Sequence, residues 1–147
     1  MKIGIGTYSF GGLETMFGLG LTLPEKFRAI QGLGYDSVEL LAVDIRNNDP
    51  EDIRKWADEA GLTVTSVHAE PTDDAILRMA AVGGQAVIWP STPFCSRDEA
   101  IEVAGILEEQ AAFGAKYGIK VGFHNHSQEF FFDEGKCLLE HLLDKGA

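Results

Sequence analysis

The sequence predicts a parallel α/β fold, and three observations carry that prediction. Short segments rich in Ile and Val alternate with longer amphipathic ones, the short segments are mostly apolar on both faces, and a glycine stop precedes several of them. Strands buried on both sides belong to parallel sheets covered by helices. With 147 residues, 45% of them hydrophobic, the chain can build a sizeable core, and the size prior gives a single domain over 1–147.

The elements follow in order. Lys2 to Tyr8 reads as the first strand. Pro24 stands at a first helical position, and Leu23, Phe27, Ile30 and Leu33 recur at helical spacing behind it. Ser37 to Leu41 is the second strand. Asp49 before Pro50 starts a helix whose stripe is Ile53, Trp56, Ala57 and Ala60, with Gly61 as its stop. Thr63 to His68 is the third strand, and only Ala75 to Val82 is free for a helix before Gly83 and Gly84. Ala86 to Trp89 is the fourth strand. Ser96 and Glu99 have capping-box spacing and open the longest helix, with Val103, Ile106, Leu107, Phe113 and Tyr117 facing inward and Gly118 closing it. Lys120 to His124 is the fifth strand, and Leu138, Leu139, Leu142 and Leu143 line the last helix. Gly34, Gly61 and Gly118 each precede an apolar strand that ends in a polar side chain, a βα unit repeating at about 30 residues. In such folds ligands sit beyond the carboxyl ends of the strands, whether the sheet is open or closed.

Charge and composition exclude several classes. A net charge of -11, from 23 acidic and 12 basic residues, repels polyanions and argues against nucleic-acid binding. No apolar run approaches the roughly 20 residues of a membrane span, and MKIGIGTYSF lacks the apolar stretch and cleavage site of a signal peptide, so a cytoplasmic protein without membrane contact is expected. Cys95 and Cys137 form no CxxC, which supports neither a disulfide framework nor a thiolate zinc site.

The strand ends supply the candidates for chemistry. Glu39 acts on a bound hydroxyl as base or acceptor, or else caps a helix in solvent. His68 binds a metal or moves a proton, or else is a buried histidine satisfied by a carbonyl. Phe123-His124-Asn125-His126 is the most informative segment, because two histidines two residues apart on a strand point to one side, with Asn125 between them as a neutral donor and acceptor. The aromatics Phe130, Phe131 and Phe132 either cover a pocket or, the favoured reading, pack their loop onto the next helix. Trp89 is a stacking wall for a sugar ring or a core residue, with Ser91 or Thr92 beside it to bond a hydroxyl or phosphate. Tyr8 and Ser9 end the first strand before a long loop containing Gly11, Gly12, Gly18 and Gly20, a candidate lid. Gly4-Ile5-Gly6 begins like a dinucleotide fingerprint, but the third glycine and the tight strand-to-helix turn are missing.

At these residues the chain resembles the sugar phosphate isomerase/epimerase family, the xylose isomerase-like barrels that also include the type IV apurinic endonucleases. Gly-Ile-Gly-Thr-Tyr-Ser at the first strand, Leu-Gly-Tyr-Asp-Ser-Val-Glu-Leu at the second, Ser-Val-His-Ala at the third and Gly-Phe-His-Asn-His-Ser-Gln-Glu-Phe at the fifth carry the likeness. The resemblance implies a (β/α)8 TIM barrel and a divalent metal, Mn, Mg or Zn, that holds two oxygens of a ketose or related polyol. Acidic groups then move a proton between adjacent carbons by way of an enediolate. On this reading Glu39 transfers the proton, Tyr8, His68, Trp89, Asn125 and His126 contact a small sugar or polyol, and His124 is the candidate metal ligand. His124 stands where many members carry a ligating glutamate, and Trp89-Pro90 stands where the endonuclease branch carries a histidine before proline, which sets the DNA-repair branch aside.

A complete barrel has about 250 residues. The expectation is therefore an incomplete barrel of about five βα units of eight, a C-terminally truncated fragment. It lacks the later metal ligands and the second acid/base group, shows little or no isomerase activity alone, and can self-associate through open sheet edges. The alternative is a non-catalytic sugar- or nucleotide-binding α/β module. Strand order separates the two: 1-2-3-4-5 for a barrel, a reversal for a doubly wound sheet.

Overall fold

A computed structural model describes residues 3–10, 20–90 and 92–145. The candidate lid residues Gly11, Gly12 and Gly18, and Ser91, lie outside the described residues. The elements run β1 (Gly4–Gly6), a 3₁₀ turn (Thr7–Phe10), α1 (Leu23–Gly32), β2 (Ser37–Leu41), α2 (Ala42–Asn47), α3 (Pro50–Glu59), β3 (Thr63–His68), α4 (Asp73–Val82), β4 (Ala86–Trp89), α5 (Arg97–Ala115) and β5 (Lys120–Phe123). A second 3₁₀ turn (Gln128–Phe130), a small hairpin of β6 (Phe132–Asp133) and β7 (Lys136–Cys137), and α6 (Leu138–Lys145) complete them.

The five main strands form one sheet in the order β1-β2-β3-β4-β5, every pair parallel. Sequential order without a reversal is the topology of a barrel wall, whereas a doubly wound sheet turns back at its switch point. Gly34, Gly61 and Gly118 all adopt left-handed φ, at 85°, 65° and 73°. This conformation disfavours residues with a Cβ, so each helix stops where the repeat placed its stop.

Side-chain alternation divides the sheet into two faces. Val38 and Leu40 of β2, Val64 and Val67 of β3 and Val87 of β4 pack with Phe27, Ile30, Ile53, Ile76 and Met79 of the helices. Trp89, Phe94, Val103, Leu138 and Leu142 form a second core. On α5 the buried positions are Ala100, Val103 and Ala104, at helical spacing. Ile106 and Tyr117, expected inward, are 40% and 46% exposed, because they project from α5 and the turn after it outside that stripe. In α6 only Leu138 and Leu142, four apart, are buried among the leucines, and Leu143 is 60% exposed.

Four further expectations change. The first strand ends at Gly6, so Tyr8 lies on a 3₁₀ turn rather than a strand end. The fifth strand ends at Phe123, which leaves His124 and His126 on the following loop. Phe130, Phe131 and Phe132 are 55%, 69% and 75% exposed instead of packed onto the next helix, since Leu138 and Leu142 already fill that core. The short helix α2 was not anticipated, being too short for periodicity to show.

Asp44 in α2 ties the sheet's first edge together. Its Oδ2 accepts from the buried Thr7 hydroxyl at 2.6 Å and from the Leu41 N–H at 2.9 Å, and Lys26 Nζ lies 3.9 Å from its Oδ1. The turn that carries Tyr8 is thereby fixed to the end of β2.

Two outcomes are expected. Phe27→Ala, at a fully buried position, should cost about 3–5 kcal/mol in urea unfolding, whereas Leu33→Ala at a 67% exposed site should stay within about 0.5 kcal/mol. The Glu25 carboxyl is held below its ordinary value of 4.5 by the Thr22 hydroxyl and N–H. A lowered carboxylate stabilises the fold fully above its unfolded value and loses that contribution as pH falls through the folded value. Protection factors of amides at the start of α1, taken against the intrinsic rate at each pH, should therefore fall in acid below about pH 4.5, and Thr22→Ala should flatten that dependence.

Candidate active site

The cleft is built by the carboxyl ends of the strands. In β2, Val38 and Leu40 turn toward the helices, so the alternation aims Glu39 at the opposite face. In β3, Val64 and Val67 both pack against the helices although three residues apart, which strict alternation forbids. The register explains it: Val38 pairs with Val64 and Glu39 with Ser66, so Thr65 is an extra residue in a bulge, and its hydroxyl donates to the Val38 carbonyl at 3.1 Å. Such a bulge re-aims the residues beyond it. Here it brings Ser66 opposite Glu39 and sends Ser66 and His68 to the same face.

The resulting contacts form a chain. Ser66 Oγ donates to Glu39 Oε2 at 2.5 Å. Glu39 Oε1 lies 3.7 Å from His68 Nε2, which lies 3.0 Å from His124 Nδ1. A hydrogen bond between two ring nitrogens needs one protonated and one bare nitrogen, so the pair holds a proton between them. The His126 ring stacks on His124 at a centroid distance of 4.8 Å and an angle of 19°. Glu39, His68, His124 and His126, with Gly6, Tyr8, Ser9, Leu40, Leu41 and Pro90, line a cavity of about 490 Å³. That volume suits a small ligand, and the mixture of carboxylate, imidazole and hydroxyl groups suits hydroxyl and carbonyl oxygens.

Glu39, His68, His124, His126 and Tyr8 are thus brought together, with Tyr8 60% exposed. Two candidates are not. Trp89 is 8% exposed and packs with Phe94 and Leu138, because alternation along β4 turns it to the helix side. Asn125 falls between the two histidines and faces the opposite way, onto a groove between α5, β5 and α6. Sequence reasoning missed Ser66 and Glu129. The buried Glu129 accepts from the His126 N–H at 2.7 Å. Ser66 was signalled by two valines three apart within a strand, and Glu129 by its place in the fifth-strand motif three residues after His126.

Among the described residues no three His, Cys, Asp or Glu side chains converge so as to hold an ion. Glu39, His68 and His124 instead contact one another, and His124 has no complete ligand set around it. The described residues alone therefore supply no complete ligand set for the expected divalent metal.

No protein-family model matches the chain, and no curated protein matches it. Solved structures do. A sugar phosphate isomerase/epimerase from Parabacteroides distasonis ATCC 8503 superposes with a TM-score of 0.79 at 25% identity, over 98% of this chain and 61% of that one. An L-ribulose 3-epimerase matches with a TM-score of 0.69 at 16% identity, over 100% and 58%. A D-psicose 3-epimerase solved in the presence of D-fructose matches at 0.65 and 17%, over 88% and 56%. An AP endonuclease of family 2 from Brucella melitensis shares the fold at 0.61 and 19%, over 84% and 55%. The chain therefore spans 61% or less of the length of each of these structures. Its structural neighbours are sugar phosphate isomerase/epimerase and xylose isomerase-like TIM-barrel proteins, and its five parallel strands alternating with helices have the α/β arrangement of that barrel.

Proposed function

We propose that the cleft binds a small polyhydroxy ketone and that Glu39 exchanges a proton with the carbon next to its carbonyl. The observation that carries this reading is the placement of Glu39 Oε1 beside His68 at the strand ends, with Ser66 occupying the other carboxylate oxygen. One oxygen is held and the other faces the cavity, the arrangement a general base needs. As the C–H proton passes to Glu39 Oε1, the bonding pair forms an enediolate, and an imidazole N–H of His68 or His126 donates to the carbonyl oxygen where negative charge develops. The neighbours named for sugar isomerisation and epimerisation support the substrate class, and the charge of -11 favours a neutral sugar over a nucleic acid.

Epimerisation requires the proton to return from the other face. Glu39 is the one carboxylate lining this cavity among the described residues, so its proton returns on the side it left. The described residues accordingly support C–H exchange with solvent and little net epimerisation. Glu39, His68 and His126 carry the steps assigned to them, and none is routed through a metal.

The test offers D-fructose, D-tagatose, D-allulose and L-ribulose to the chain in deuterated buffer. A bound ketose should raise the melting temperature, and NMR should show deuterium entering beside the carbonyl without a new epimer. Glu39→Gln should slow that exchange at least about 100-fold. No melting shift with any of the four sugars, or equal exchange in Glu39→Gln, would sink the reading. Ser66→Ala should slow exchange about tenfold with ketose affinity unchanged, and Ser66→Thr should restore it, because a hydroxyl in that place again orients the carboxylate.

A further inference from the structure

We infer that Glu129 is a positioning residue for His126 and, through it, for the imidazole wall of the cleft. The inference begins with the point at which the sheet's hydrogen bonds end. Lys120 N–H donates to the Gln85 carbonyl and His124 N–H to the Trp89 carbonyl, so alternate amides of this segment face β4. By the same alternation the next amide aimed that way is that of His126. β4 ends at Trp89, however, and the His126 N–H donates at 2.7 Å to Glu129 Oε2. The carboxylate stands in for a strand carbonyl two residues past the last bond to β4.

Burial sharpens the point. Glu129 has 0% of its surface exposed, and its other oxygen accepts from the Gln128 side-chain amide at 3.2 Å. A carboxylate taken fully out of water needs compensating donors, and here one is the backbone amide of a cleft histidine. Fixing that amide fixes where the His126 ring leaves the backbone. The ring stacks on His124, His124 bonds His68, and His68 faces Glu39. Without the anchor, His126 sits on an exposed loop and nothing in the strand pleat orders its ring.

The structural part of this inference is independent of any sugar, while its consequence for binding rests on the ketose reading above. Both are tested on the full chain with Glu129→Gln, whose amide oxygen still accepts, and Glu129→Leu, which fills the volume without an acceptor. In the sugar-free protein the His126 amide should exchange slowly, and it should stay protected in Glu129→Gln. In Glu129→Leu protection should be lost, and the His124 and His126 ring-proton shifts should move toward those of unstacked imidazoles, with the melting transition still cooperative. Fructose affinity should then fall about tenfold in Glu129→Leu and little in Glu129→Gln. A native His126 amide that exchanges as fast as an open loop, or unchanged ring shifts in folded Glu129→Leu, would overturn the anchor. Should Glu129→Leu not fold, loss of protection and stacking in folded Glu129→Gln overturns it and their retention supports it. Intact protection and stacking without fructose binding in the native chain would refute the ketose reading alone.

Discussion

The pairing of β2 with β3 is the constraint on which the rest of the structure depends. Both strands must bury valines against the helix layer and still present polar side chains to the other face. In β2 simple alternation achieves this with Val38, Glu39 and Leu40. In β3 it cannot, because Val64 and Val67 are out of phase by one residue, and the bulge at Thr65 absorbs the mismatch. A one-residue slip in a regular strand would turn every later side chain to the wrong face. The bulge makes that slip locally and once, so the helix-side core stays filled and Ser66 meets Glu39.

From that pairing the polar face follows in sequence. Ser66 engages one oxygen of Glu39, which turns the other toward His68, and His68 reaches across β4 to His124 on the loop after β5. Three histidines and one carboxylate therefore share a small volume in a chain whose overall charge is strongly negative. Imidazoles are suited to that setting, since a neutral ring offers one donor and one acceptor at the same time. The cleft can thus meet both the hydroxyl and the carbonyl oxygens of one ligand without burying a fixed positive charge.

Much of this was legible in the sequence, and the parts that were not share a cause. The second, third and fourth strands lie where their β-branched runs place them, and Asp49 and Ser96 cap the helices they were expected to open. Glu39, His68, His124 and His126 meet because parallel strands deliver their ends to one side, which periodicity alone reveals. Trp89 was ambiguous because composition does not tell which face of a buried strand looks inward. That phase is set by packing against Phe94 and against Leu138, the latter remote in sequence. The role of Glu129 was hidden for a related reason: it lies in a hydrogen bond to a backbone amide, and backbone amides carry no residue-type signature.

The same logic bears on what one wall of a barrel can do. Among the described residues β1 pairs only with β2 and β5 only with β4, so both ends of the sheet present free backbone groups. At β5 the free edge adjoins a groove of about 480 Å³ lined by Leu107, Val121, Phe123, Leu139 and Leu143, apolar surface of the kind a further strand and helix would bury. Among the described residues the cleft is correspondingly one-sided, with its acid, imidazoles and hydroxyls all at or just beyond the carboxyl ends of the strands. A ligand held there meets Glu39 on one face, while its other face looks away from the sheet. On the ketose reading proposed above, chemistry that begins and ends on one face, such as hydrogen exchange, is what Glu39 offers. Inversion at carbon needs a second proton carrier opposite Glu39, and the described residues lining the cleft include no second carboxylate.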